Sequence, residues 1–284
     1  MSTLLKSLSA PAPIVLAPTG IVPTRTMTPH VPLQPDEVAR DVAAAMEIGI
    51  TSVHLHARDE RGEPTWRRDS YERLVGAVRE LAPDVVINVT TSGRNWSDIE
   101  RRADALMLDG DLKPDVASLT PSSLNFLQSA SINPPDVIRG LARIMLERGI
   151  TPEFEIFDLG MINMMKRLFH EGLVSGRPLV NLFFGNLAGL QATPLEFGLA
   201  VERLPDDSLW SGAGLGDFQL TAQLLSLSSG GGARVGLEDS IYLDSDREVL
   251  ATNVQLVERV HRILAIAGRE VMTPAQWREQ MGQQ

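Results

Sequence analysis

Cysteine is absent from the 284-residue chain. That excludes a disulfide framework, thiolate metal ligands and a Cys nucleophile, so any bound metal must use His, Asp, Glu or water. Basic residues are outnumbered, with a formal net charge of -10. An acidic balance argues against nucleic acid or an anionic membrane surface as partner, because clustered Lys and Arg hold both. No run approaches the roughly 18 apolar residues of a membrane span. The opening MSTLLKSLSAPAP lacks the apolar stretch of a secretory signal, so a cytoplasmic location is expected. A Gly-x-Gly-x-x-Gly turn is also missing after the first apolar run, where Pro18-Thr19-Gly20 stands instead.

What is present is alternation. Short apolar runs at 14–17, 52–56, 85–89, 116–119, 153–157, 179–184, 209–212 and 234–237 read as strands buried on both faces. Helical spacing follows each run, over 36–48, 70–81, 97–108, 135–147, 160–172, 194–203, 217–227 and 252–267. Strict strand–helix alternation predicts one (β/α)8 TIM-barrel domain over residues 1–284, with 274–281 as a short extra C-terminal helix. A doubly wound open sheet is the competing architecture, and the missing glycine fingerprint counts against it.

Histidine is scarce, with five in the chain. Two of them, His54 and His56, lie two apart near the end of the second predicted strand. A strand has period two, so both imidazoles share one face. At the C-terminal end of a barrel strand that face is the mouth, where such enzymes keep their chemistry. Two imidazoles so placed suit a metal, although hydrogen-bonded core histidines would give the same pattern. A third ligand must come from another strand. Glu238, at the end of Arg234-Val235-Gly236-Leu237-Glu238-Asp239, is the best candidate, with a helix cap or surface ion pair as the plain alternative. Two His and one carboxylate leave an open position, a familiar zinc arrangement.

Other strand ends carry small polar groups. Thr90, Thr91, Ser92 and Gly93 close the third strand, and Ser118 and Thr120 lie at the fourth. They suit a carboxylate or enolate ligand, or ordinary caps. Glu155 sits in an otherwise apolar strand, which makes it either a general-base candidate or half of a buried ion pair. The Gly-Ala-Gly-Leu-Gly stretch at 212–216 falls where barrels often bind phosphate, a weak signal.

His-Leu-His-Ala-Arg, Thr-Thr-Ser-Gly, Ala117-Ser118-Leu119 with Leu124-Asn125-Phe126, Pro152-Glu153-Phe154-Glu155 and Arg-Val-Gly-Leu-Glu-Asp together resemble the β-keto acid cleavage enzymes. The resemblance runs from about Ile14 to the Thr-Pro-Ala-Gln segment. It implies a zinc-containing barrel, a homotetramer, and conversion of a β-keto acid plus acetyl-CoA to an acyl-CoA plus acetoacetate. By position it implies His54, His56 and Glu238 as zinc ligands. Thr90, Gly93 and Ser118 fall at keto-acid-binding positions, and Arg234, Asp239 and Glu155 at proton-transfer positions. Asp239, paired with Arg234, is expected to take a proton from the acetyl-CoA methyl group. Claisen addition, CoA transfer and retro-Claisen cleavage follow. The family's type enzyme carries a Glu for a substrate ammonium where this chain has Val22. A neutral or apolar substrate tail is therefore expected.

Two other readings remain open at this level. A metal-dependent aldolase or lyase would split a keto or hydroxy acid without CoA. A non-catalytic metal-binding barrel would hold the ion without turnover.

Overall fold

The computed structural model describes residues 8–282, so the first seven residues of the opening stretch fall outside the described range. Eight parallel strands close into a barrel. They are β1 (Ile14–Leu16), β2 (Ser52–Leu55), β3 (Val86–Val89), β4 (Val116–Leu119), β7 (Thr151–Ile156), β8 (Leu179–Phe184), β9 (Leu209–Gly214) and β10 (Gly232–Val235). Val15 pairs with Ser52 on one side and Arg234 on the other, which closes the ring. A small antiparallel hairpin, β5 (Leu124–Asn125) and β6 (Ala130–Ser131), is inserted after β4. Its two-residue strands are too short to leave a periodic signal.

Each strand sends its side chains two ways. Val53, Leu55, Ile87, Val89, Ala117 and Leu119 face outward into the main hydrophobic core, between strands and helices. The alternate positions carry Ser52, His54, Asn88, Ser118, Glu153, Asn181, Ser211 and Arg234, all buried. The lumen is therefore polar at mid-height. Burying so many polar groups is tolerable only where partners exist. At the floor, Val86, Val116 and Leu179 open their strands and pack with Met272 and Trp277. Trp277 belongs to the terminal helix Pro274–Met281, which plugs the N-terminal end of the barrel.

The helices follow their sequence signals. Helix Pro35–Ile48 starts on a first-turn proline, which is preset for helical φ. Helix Asn253–Ala267 starts with a reciprocal box between Thr252 and Gln255, and buries Leu256, Val257, Val260 and Leu264. Two departures from expectation bear on the site. The stretch read as one helix over 97–108 is a short helix, Ile99–Ala103, continued as a 3-10 turn, Asp104–Met107. Its Arg102 is drawn inward to donate to the Thr91 carbonyl and to Asn133. The last barrel strand is Gly232–Val235 rather than 234–237. Gly236 ends it at φ 148°, and a Cβ there would lie 2.0 Å from the Ala17 carbonyl oxygen. Only glycine allows that turn.

Candidate metal centre

The end of β2 supplies the imidazoles. His54 and His56 are both buried, with their Nε2 atoms 3.0 Å apart and their rings edge to face. The turn at Gly236 redirects the chain across the mouth, where the Glu238 N–H donates to the Ala17 carbonyl at 3.2 Å. Gly20 makes room, because a Cβ there would lie 2.4 Å from Glu238 Cγ. Glu238 Oε1 then sits 3.2 Å from His56 Nε2. One donor atom from each of His54, His56 and Glu238 lies within 4.8 Å of the other two.

This donor set fits a divalent cation. Ligands about 2.0–2.1 Å from a tetrahedral zinc sit roughly 3.3 Å apart, close to the spacings seen here. Among the described residues, Glu238 Oε2 is buried without a hydrogen-bond partner. Burial and the nearby Arg234 hold the His54 pKa well below its usual value, so the ring is neutral, the form that ligates metal. Burial alone would raise the Glu238 pKa. Arg234, His56 and His54 outweigh it and keep that carboxylate ionised. The Asn88 amide, next to His54, partly offsets that ring's lowered pKa by favouring its charged form, and His54 Nδ1 has no hydrogen-bond partner among the described residues.

Arg234 ties this cluster to a second carboxylate. Its Nη2 lies 2.9 Å from Glu238 Oε1, and its Nε donates to Asp239 Oδ2 at 2.9 Å. The guanidinium also stacks over Phe183, 4.9 Å from the ring centre. Burial would discharge Arg234, but Asp239 and Glu238 keep it firmly protonated. The two acids respond differently to the same cation. Burial lifts the Asp239 pKa to about 6, aided by the negative charge of Glu238 and opposed by Arg234. Burial also raises Glu155, whose Oε2 accepts from Thr120 Oγ1 at 2.8 Å.

These groups open on one cavity of about 530 Å³. His56, Glu238, Arg234, Asp239 and Glu155 line one side, and Thr90, Val22 and Phe126 contribute elsewhere. Ser118 and Gly93 are buried in the wall. Ser118 Oγ accepts from the Thr91 N–H at 3.3 Å, and the Gly93 carbonyl accepts from Ile132 N–H at 3.2 Å. A second, aromatic cavity of about 430 Å³ shares His56 and Thr90 and runs between Trp66, Trp96 and Tyr71. The glycine stretch at 212–216 ends β9 and braces the site loop, since Gly216 N–H donates to the Asp239 carbonyl at 2.7 Å.

A family model described as beta-keto acid cleavage enzyme matches residues 11–282. The chain belongs to the β-keto acid cleavage enzyme family. It is 34% identical over 269 residues to the 3-keto-5-aminohexanoate cleavage enzyme of Fusobacterium nucleatum, covering 94% of this chain and 96% of that one. It is 36% identical over 279 residues to the 3-oxoadipate:acetyl-CoA acetyltransferase of Cupriavidus necator, covering 97% and 96%. Among solved structures, apo ObcA superposes with a TM-score of 0.78 at 22% identity, over 89% of this chain and 66% of that longer one. That likeness concerns the fold.

This member of the family is thus an enzyme, and its barrel lumen and mouth hold polar residues that the sequence alone did not single out. Glu153 is the main one. It lies in mid-lumen, accepts from Asn88 and Asn181 at 2.7 Å each, and burial raises its pKa to about 7. Period two puts it on the same face as Glu155, so strand alternation alone pointed to it. Arg94 was also missed, because nothing in a loop arginine says where its head will lie.

Proposed function

We propose that this enzyme uses a divalent metal, zinc for preference, to convert a β-keto acid and acetyl-CoA into an acyl-CoA and acetoacetate. One observation carries the reading. The His54, His56 and Glu238 donors cluster, and His56 and Glu238 line the same cavity as Asp239, a buried carboxylate gripped by Arg234. A metal held by the first three supplies Lewis acidity toward a carbonyl oxygen.

Atom balance decides which proton moves. Acetoacetate takes its acetyl group from acetyl-CoA and its carboxymethyl group from the keto acid. The new bond therefore joins C2 of the keto acid to the acetyl carbonyl carbon. The base must act on C2, between ketone and carboxylate, rather than on the acetyl methyl group expected from sequence. Asp239 is that base: with a pKa of about 6 it is mostly ionised at neutral pH yet basic enough to accept a proton. Arg234 fixes its orientation. CoA sulfur then moves from the acetyl carbon to C3, the C2–C3 bond breaks, and C2 regains its proton. Glu155, with its raised pKa, serves as the second acid/base. Thr90, on the cavity surface, binds the keto-acid carboxylate, and Gly93 and Ser118 act behind it by holding the turn that presents it. Val22 lines the cavity without charge, so the substrate carries no ammonium at that point.

The proposal includes a single-domain cytoplasmic homotetramer. Leu195 and Leu199 on one helix and Leu220 and Leu224 on the next are exposed, and a subunit contact would cover them. Light scattering tests the subunit count. A β-keto acid panel with and without acetyl-CoA, read by acetoacetate release and metal analysis, tests the chemistry. Cleavage that persists without acetyl-CoA would instead identify a metal-dependent lyase.

A further inference from the structure

Two arginines line the central cavity. Arg234 is committed to Glu238 and Asp239. Arg94 has no carboxylate partner among the described residues. Its Nε donates to Ser129 Oγ at 2.9 Å, and its guanidinium lies 4.2 Å from the centre of the Phe126 ring. Both contacts come from the β5–β6 hairpin, whose tip is closed by the Phe126 N–H donating to the Ser129 carbonyl. The hairpin thus holds the arginine by one nitrogen and one face. Among the described residues, no acceptor takes a hydrogen bond from Nη1 or Nη2. A planar cation held by its stem, with its fork free, is built to receive a carboxylate in two-point contact.

Resting on the reaction proposed above, we propose that Arg94 is a specificity residue. It receives a second carboxylate at the far end of the keto-acid chain, so the preferred substrate is a β-keto dicarboxylate. This replaces the neutral-tail expectation drawn from Val22, which removes a negative charge from the cavity but does not say what the tail then carries. Arg94 supplies the replacement. Phe126, Phe157 and Phe183 line the same cavity and suit the methylene chain between the two carboxylates.

CoA phosphates are the other source of negative charge. The pantetheine arm keeps them many bonds from the reacting thioester, whereas Arg94 lies close enough to the metal-binding acid to feel it. Burial lowers the Arg94 pKa, and the Glu238 carboxylate pulls it back up.

The test compares 3-oxohexanoate with its counterpart ending in a carboxylate, using metal-loaded enzyme and acetyl-CoA. Wild type is expected to favour the dicarboxylate by about 10–100-fold in kcat/KM, the range for a hydrogen bond to a charged group. Arg94→Ala should collapse that ratio toward one, chiefly through KM, and Arg94→Lys should keep part of it. Calorimetry with hexanedioate and hexanoate reads the same preference without turnover. No preference in wild type overturns the inference. So does an equal loss for both substrates in Arg94→Ala, which would mean that the arginine serves the shared carboxylate or CoA. Failure to turn over either acid with acetyl-CoA, with normal metal content, would overturn the underlying reaction and this inference with it.

Discussion

At the floor of the barrel, Val86, Val116 and Leu179 pack against Met272 and Trp277 in an apolar plug. Two residues further along the same strands, Asn88, Ser118 and Asn181 face the same lumen, and beyond them lie His56, Glu155 and Arg234. One backbone geometry therefore supports opposite chemistry at its two ends. The floor stabilises by removing apolar area from water, which requires no particular partner. The mouth buries charge, which is tolerable because Arg234 meets Glu238 and Asp239, beside imidazoles that converge on a candidate cation site. Substitutions at the two ends should accordingly fail in different ways.

The largest effect is expected at the mouth. His56→Ala should release the metal on dialysis and lower turnover by about a thousand-fold or more, as loss of a Lewis acid implies. Its far-UV circular dichroism should match wild type. A variant that loses its fold together with its metal would make the mouth a structural centre and break the contrast. Asp239→Asn should keep the metal and lower kcat by about 10²–10⁴-fold. In wild type, activity should fall as pH drops through about 6, where Asp239 takes up its proton. The Asn variant should lack that limb.

The floor should show the reverse. Trp277 is 1% exposed, and truncating such a ring typically costs about 3–5 kcal/mol. Trp277→Ala should lower the denaturant midpoint by that equivalent and leave kcat near wild type while the barrel holds. A matching fall in kcat would mean that the plug transmits strain to the metal ligands.

The floor-to-mouth contrast also explains what was readable without a structure. Outward-facing Val and Leu runs and capped helices are local signals, so β4 and β8 were placed to the residue. His54 and His56 share a face by strand period, and Glu238 was reached by asking which other strand end carries acid. The turn that delivers Glu238 was misplaced, because Val-Gly-Leu reads as strand and the clash with Ala17 that forces Gly236 is a long-range contact. Glu153 was overlooked beside Glu155, since one strand offers two acids and only the cross-barrel neighbours Asn88 and Asn181 distinguish them. Arg94 depends on a hairpin some thirty residues later, which no local pattern reports.

Glu153 lies between the two regimes, and its titration decides to which it belongs. Burial raises its folded pKa from 4.5 to about 7. A group raised on folding contributes stability that is fully present below the unfolded value and is lost as pH rises through the folded one. Wild type should therefore lose up to about 3 kcal/mol between pH 4.5 and pH 8, at roughly 1.4 kcal/mol per pH unit. Glu153→Gln carries no charge to bury, and its amide oxygen still accepts from Asn88 and Asn181. It should be more stable than wild type at pH 8 by about that amount, with the advantage vanishing near pH 4.5. Urea unfolding of metal-free protein at several pH values measures the difference. A flat difference would mean that the two asparagines hold an anion across the whole range. Metal affinity then completes the argument. If Glu153→Gln binds zinc as wild type does, the residue belongs to the floor. If affinity falls by about 10–100-fold, as loss of a group behind a ligand does, Glu153 acts through Asn88 on His54 and the functional half of the lumen begins one layer deeper.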